Sequence, residues 1–162
     1  MTDKVTPKAL MTDPGHALSF GFGSGLSPYA PGTMGTLVAI PLYLLVAQFG
    51  ALSVLIVCIL ICLLGVYLCA RTTTALGVHD HPAIVWDEFA GYFVTMLFAP
   101  VSVSSVLAGF VLFRIFDILK PWPISVIDSR LKGGLGVMLD DILAGGFALI
   151  VLQLLIHLGW VS

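Results

Sequence analysis

From Met34 to Ala70 the chain is almost uninterrupted apolar sequence, relieved by Pro41, Gln48, Gly50 and Ser53. At 1.5 Å per helical residue such a run is about 55 Å long, nearly twice the roughly 30 Å of a bilayer's hydrocarbon core. One crossing cannot hold it. Two helices turning near Gly50 can, the second, from Leu52 to Ala70, being the clearer span and the first rather short. Arg71 follows, where a cation suits both a helix carboxyl terminus and the cytoplasmic face. Composition agrees: 59% of the residues are hydrophobic and 10% charged, against about 45–50% and about 25% in soluble domains. With 162 residues the chain reads as one membrane-embedded domain, 1–162. Net charge is −2 with no basic stripe, which gives nucleic acid nothing to bind.

A second apolar stretch runs from Phe89 to Phe113 with Pro100 near its middle. As a single span it would leave Arg114, Lys120, Arg130 and Lys132 outside, against the positive-inside bias. A break at Pro100 turns it instead into a short hairpin that returns to the cytoplasmic side, tolerable at membrane depth when packed against other helices. Ile142 to Val161 is a further span of twenty residues with no basic residue after it, so its end should lie outside. The expected fold is an all-α, integral membrane helical bundle, with about three spanning helices plus a short re-entrant or broken helical hairpin. Residues 1–20 carry charges and no continuous apolar region, so they read as a polar cytosolic segment rather than a cleavable signal peptide. Four polar blocks remain: Gly21 to Thr36, His79 to Glu88, Arg114 to Lys132, and Asp140 with Asp141. The hairpin topology puts all four at one membrane face.

The window from Phe113 to Gly146 holds eight of the sixteen charged residues. Asp87 and Glu88, in IVWDEFAG, are pressed between residues ready to enter a bilayer, where a carboxylate costs a few kcal/mol and normally has a partner or a function. An acidic amino-terminal cap is the plainer reading. Asp140 and Asp141, ahead of ILAGGFAL, pose the same choice, but two adjacent like charges oppose each other unless a cation neutralises them. Two acidic pairs at expected helix starts point to a metal, and oxygen ligands with no thiolate pair and no H-x-x-x-H suit Mg²⁺ or Mn²⁺ better than Zn²⁺. His79 and His81 around Asp80 read either as solvent-facing or as zinc ligands, and His157 as packed or interfacial. Cys58, Cys62 and Cys69 form no CxxC and read as buried small hydrophobes.

Arg114, Asp117 and Lys120 are spaced three apart and share a broad helical face, as an internal salt-bridge ladder or as a phosphate-binding pair beside a metal. Pro121 and Pro123 stop that helix just after Lys120. GFGSGLSPYAPGTMGT runs into an apolar helix, so its backbone amides, from Gly32 onwards, with the Thr33 and Thr36 hydroxyls, are candidate anion binders; a flexible loop is the alternative. It is neither a Walker loop nor a Rossmann fingerprint.

Taken together, GFGSGLSPYAPGTMGTLVAIPL, HDHPAIVWDEFAGYFVTM and FRIFDILKPWPISVIDSRLKGGLGVMLDDILAGG resemble the phosphatidylglycerophosphatase A family over residues 20 to 148. The pattern departs at His81 and Pro82, where the family places proline or glycine directly after Asp80. The resemblance implies a bacterial inner-membrane enzyme whose active site faces the cytoplasm. It implies Mg²⁺-dependent removal of the terminal phosphate of a membrane phospholipid, phosphatidylglycerophosphate. On that reading the metal is held from among Asp87, Glu88, Asp140 and Asp141, Arg114 and Lys120 bind phosphate, a remaining carboxylate such as Asp117 orients water, and Gly32, Thr33 and Thr36 touch substrate. Two other classes remain in view: a CDP-alcohol phosphatidyltransferase, whose D-G-x2-A-R run is missing, and a small transporter.

Overall fold

The computed structural model describes residues 6–78 and 81–162, and among them the chain is all helix and connection, with no strand. Two short helices, α1 (Pro7–Leu10) and α2 (Pro14–Ser19), lead into a 3₁₀ segment at Gly21–Leu26. Five longer helices build the bundle: α3 (Pro31–Ala47), α4 (Ala51–Leu76), α5 (Trp86–Thr95), α6 (Val103–Leu119) and α8 (Gly133–His157), with the short α7 (Ile124–Arg130) between the last two. Two of them, α4 and α8, are long and apolar enough to cross a membrane, and α3 is a shorter apolar helix. The outward side of α4 presents Leu52, Ile56, Ile59, Leu60, Leu63 and Tyr67, all exposed. An apolar face of that size on water would be an aggregation surface; against lipid it costs nothing.

Helices α3, α5 and α8 run the same way, and α4 and α6 return. Tyr43 of α3 meets Tyr92 and Phe93 of α5 edge-on, with ring centroids 6.0 Å apart in both pairs. Trp86 at the start of α5 donates its indole N–H to the Ile61 carbonyl of α4 at 3.1 Å and stacks on Phe89. Gly65 leaves room for that indole and for Met138 of α8. The core is thus a column of aromatic rings along α5, wrapped by the other four long helices. Such rings prefer tilted and edge-on contacts, and their burial dominates core energetics.

The expected hairpin is present. Helix α5 ends at Thr95, Pro100 lies in the connection, and α6 begins at Val103 under a Ser102 cap that accepts the Ser105 N–H at 3.1 Å. It is not short, however. The connection packs at the level of the α3–α4 turn, with Met96, Phe98, Ala99 and Val101 around the same small cleft as Ala47, Gly50 and Ala51. Ser104 hydrogen-bonds the backbone of Ser162. An α6 of 17 residues rises about 25 Å, enough to carry the hairpin the length of the bundle.

The last span begins nine residues earlier than Ile142. Asp140 and Asp141 are therefore two turns inside α8, not at its start. The glycines of GGLGVM carry α8 past α4: a side chain on Gly134 would strike the backbone of Val66 and Ala70. The amino-terminal segment is docked on the bundle. Asp13 caps α2 through the Gly15 and His16 amides and forms a two-point pair with Arg71 of α4 at 2.7 and 2.8 Å. The Arg71 guanidinium holds the Asp13 carboxyl down to about 2. Behind it, His16, Thr72 and Ser19 form a buried hydrogen-bonded chain.

Two adjacent glycines in α8 make opposite predictions. Gly145 lies flat against the Gly91 carbonyl of α5, whereas Gly146 faces open space. Gly145→Ala should destabilise the detergent-solubilised protein by about 1–3 kcal/mol through overpacking. Gly146→Ala should be neutral or stabilising by roughly 0.5–1 kcal/mol through helix propensity. Thermal unfolding of the two variants reads the difference.

Candidate active site

The carboxyl groups gather because two helices touch. Gly91 and Gly145 let α5 and α8 approach backbone to backbone, and a side chain at Gly91 would strike the Phe113 ring and crowd the Asp141 carbonyl. This brings Asp87 and Glu88, in the first turn of α5, against Asp141 of α8. The three carboxylates offer oxygens that all lie within 4.8 Å of one another. Glu88 Oε2 is buried with no hydrogen-bond partner.

Asp140 does not join them. Its Oδ2 accepts from Lys120 Nζ at 2.6 Å, and Lys120 also donates to Asp128 Oδ1 at 2.7 Å. Lys120 is the left-handed cap of α6, φ 41°, and its backbone N–H closes on Phe116. Pro121 and Pro123 then turn the chain into α7, whose Asp128 comes back to the same ammonium. Burial works against the charged form here, but the two carboxylate partners outweigh it and hold the Lys120 ammonium above its ordinary value. Asp128 is the residue that sequence reading missed; the signal was a lysine followed by a proline-enforced reversal with an acid eight residues on.

Arg114 and Asp117 form the expected pair at one helical turn, Nη1 to Oδ2 2.6 Å, with Glu88 Oε1 3.8 Å from the same nitrogen. The guanidinium thus sits behind Glu88 and Asp117, while these two carboxylates and Lys120 face a cavity of about 360 Å³. Asp87, Asp140 and Asp141 line its other walls, with Pro31 and Gly32 from the start of α3 and Asp128 and Leu131 from the α7 side. Gly32 is in contact distance of the ion pair: a side chain there would collide with Glu88 Oε1 and press on Arg114. Thr36 is fully buried and donates its hydroxyl to the Gly32 carbonyl at 2.9 Å, while Thr33 is half-buried on the same turn. His81 accepts the Ala83 N–H on its ring. His79 and Asp80 lie outside the described residues.

Six carboxyl side chains therefore share one recess with Lys120, and Arg114 stands behind two of them. Like charges this close and this dry need a counter-charge. The residues present fit a hard divalent cation: three clustered carboxylates, one with an orphaned buried oxygen, and no thiol or imidazole on the cavity wall among the described residues.

A family model described as Phosphatidylglycerophosphatase A matches residues 17–156. The chain belongs to the phosphatidylglycerophosphatase A family. It is 48% identical over 157 residues to the phosphatidylglycerophosphatase A of Escherichia coli (strain K12), covering 96% of this chain and 91% of that protein. It is 46% identical over 146 residues to the phosphatidylglycerophosphatase A of Haemophilus influenzae, covering 89% of this chain and 90% of that protein. No solved structure matches. As a member of the phosphatidylglycerophosphatase A family, the chain is a hydrolase of phospholipid metabolism.

Gly32→Ala supplies a test that touches no ionisable group. The added methyl must push Glu88 off its present position, and misplacement of about 1 Å in such a site costs roughly 10²-fold in rate. Phosphatase assay of the variant should show a loss of that order with helical content unchanged.

Proposed function

We propose that the chain hydrolyses the terminal phosphomonoester of phosphatidylglycerophosphate to phosphatidylglycerol and inorganic phosphate. The site would be a Mg²⁺ site at the cytoplasmic rim of the bacterial inner membrane. The observation that carries this reading is the meeting of Asp87, Glu88 and Asp141 within 4.8 Å, beside Lys120, in one cavity of a chain belonging to this family. The names of both bacterial relatives supply the substrate.

Asp87, Glu88 and Asp141 would hold the metal, with Asp140 left to Lys120. Mg²⁺ in such a place supplies neutralisation of phosphoryl oxygens and polarisation of the phosphorus centre. The chain's own groups do the remainder. Lys120, reaching into the cavity from the end of α6, offers a compact cationic donor to the phosphoryl group. Arg114 orients Glu88 and Asp117 from behind. Asp117, on the cavity wall, takes a proton from the attacking water; a phosphorus–oxygen bond forms to that water, the bond to the lipid's glycerol oxygen breaks, and the departing oxygen takes a proton from solvent, to which Asp117 then returns its own. The backbone at Gly32, with Thr33 and Thr36 on the same turn, fixes the rim where the headgroup passes.

The orientation follows from charge. Lys8, Arg71, Arg114, Lys120, Arg130 and Lys132 are all the basic residues among those described, and every one lies toward the end of the bundle that holds the cavity. The positive-inside bias makes that end cytoplasmic. Helices α3, α4 and α8 span, and the α5–α6 hairpin fills the bundle between them.

The decisive assay is phosphate release by purified protein from several lipid phosphates, with and without a chelator. Release from phosphatidylglycerophosphate that stops on chelation and returns with Mg²⁺ is expected; a chelator-resistant rate contradicts the metal assignment. Asp141→Asn and Asp87→Asn should abolish turnover while the protein still inserts and folds, because removing a like charge relieves repulsion. Lys120→Ala should raise KM roughly 10- to 100-fold, the value of a hydrogen bond to a charged group. Full activity in that variant would return Lys120 to a structural role.

A further inference from the structure

We infer that the outward stripe of α6 is the track that seats one acyl chain of the substrate lipid, with Arg114 at its junction with the catalytic cavity. The inference rests on the activity proposed above and concerns how a diacyl substrate, rather than its headgroup alone, is held. Val103, Leu107, Val111, Ile115 and Ile118 fall on one side of α6 at intervals of three to four residues, with Leu119 beside the last, and all are exposed. Helical geometry puts such positions in a line. The line is indented rather than flat. A recess of about 340 Å³ lies along Phe110, Val111, Ile115 and Ile118, and a second of about 330 Å³ lies between Val103, Val106, Leu107 and Leu44 of α3. Both are almost wholly apolar.

What distinguishes this face from the equally apolar outside of α4 is where it ends. Arg114 lines the upper recess, and its guanidinium reaches 2.6 Å from Asp117 and 3.8 Å from Glu88, both of which wall the cavity. One side chain therefore links the two spaces, lining the apolar recess itself and pairing with two carboxylates that wall the cavity, a division usual for a long cationic side chain. A phospholipid has the same division, an acyl chain in hydrocarbon and a phosphate at the rim. The stripe spans about 25 Å, deeper than one leaflet's share of a roughly 30 Å core, so it can accompany a chain over the whole leaflet. The occupant this fits is a single acyl chain whose headgroup is in the cavity.

The test compares two substrates and two faces. Wild-type protein is assayed in mixed micelles against phosphatidylglycerophosphate and, in solution, against its deacylated form, glycerophosphoglycerophosphate. Val111→Trp and Leu107→Trp fill the track at two depths; Leu63→Trp places the same bulk on the outside of α4. The track variants should raise KM for the diacyl substrate roughly tenfold or more, as expected from excluding a few methylenes. They should leave kcat/KM for the deacylated substrate within twofold of wild type, and Leu63→Trp should change neither. The inference is overturned if the track variants slow both substrates alike, if they affect neither, or if Leu63→Trp matches them. Wild-type protein that releases phosphate from neither substrate overturns the activity itself, a result distinct from all of these.

Discussion

Helices α5 and α8 touch through bare backbone at Gly91 and Gly145, and the gathering of this protein's buried acids depends on that contact. With side chains at those positions the helices would stand farther apart, and the carboxylates of Asp87, Glu88 and Asp141 could not share one recess. Small residues let helix backbones approach in membranes, where packing rather than the hydrophobic effect drives association. Here the close approach concentrates charge. A bundle with a surplus of buried acid at one end is unfavourable unless something cationic is held there, and within the chain Lys120 and Arg114 supply the cations nearest to it.

The cations are deployed in two layers. Lys120 bridges Asp140 and Asp128 at the mouth, while Arg114 secures Glu88 and Asp117 from the rear. Glu88 Oε2 in the α5–α8 cluster and Asp140 Oδ1 beside it are buried without a hydrogen-bond partner. The aromatic column of Tyr43, Trp86, Phe89, Tyr92 and Phe93 stands directly below on α3 and α5. It keeps the floor rigid and dry, so that charges placed above it act at short range in a low dielectric.

Much of this was legible in the chain. The Met34–Ala70 run required a helical pair, Pro100 marked the hairpin, and the positive-inside bias brought four polar blocks to one end; the structure has each of these. What failed was local and has local causes. Asp140 and Asp141 read as a helix start because acids cap helices, but GGLGVM already forms the first turns of α8, where Gly134 serves a close approach to α4. Asp140 and Asp141 are about 100° apart around α8, which sends Asp140 to Lys120 and Asp141 to α5. Asp128 was overlooked because its partnership with Lys120 depends on a left-handed cap and a proline-directed reversal that no periodicity encodes. The hairpin is longer than the break at Pro100 in Phe89–Phe113 suggests, because α6 continues past Phe113 to Leu119.

The central claim is that α5 and α8 together make one divalent-cation site of which Asp141, and not its neighbour Asp140, is a ligand. Titration of the purified protein with Mn²⁺, followed by electron paramagnetic resonance, tests it without reference to turnover. The account predicts saturable binding in the wild type, loss of that binding in Asp141→Asn, and its retention in Asp140→Asn. Binding that survives Asp141→Asn unchanged, or that disappears only with Asp140, would contradict it.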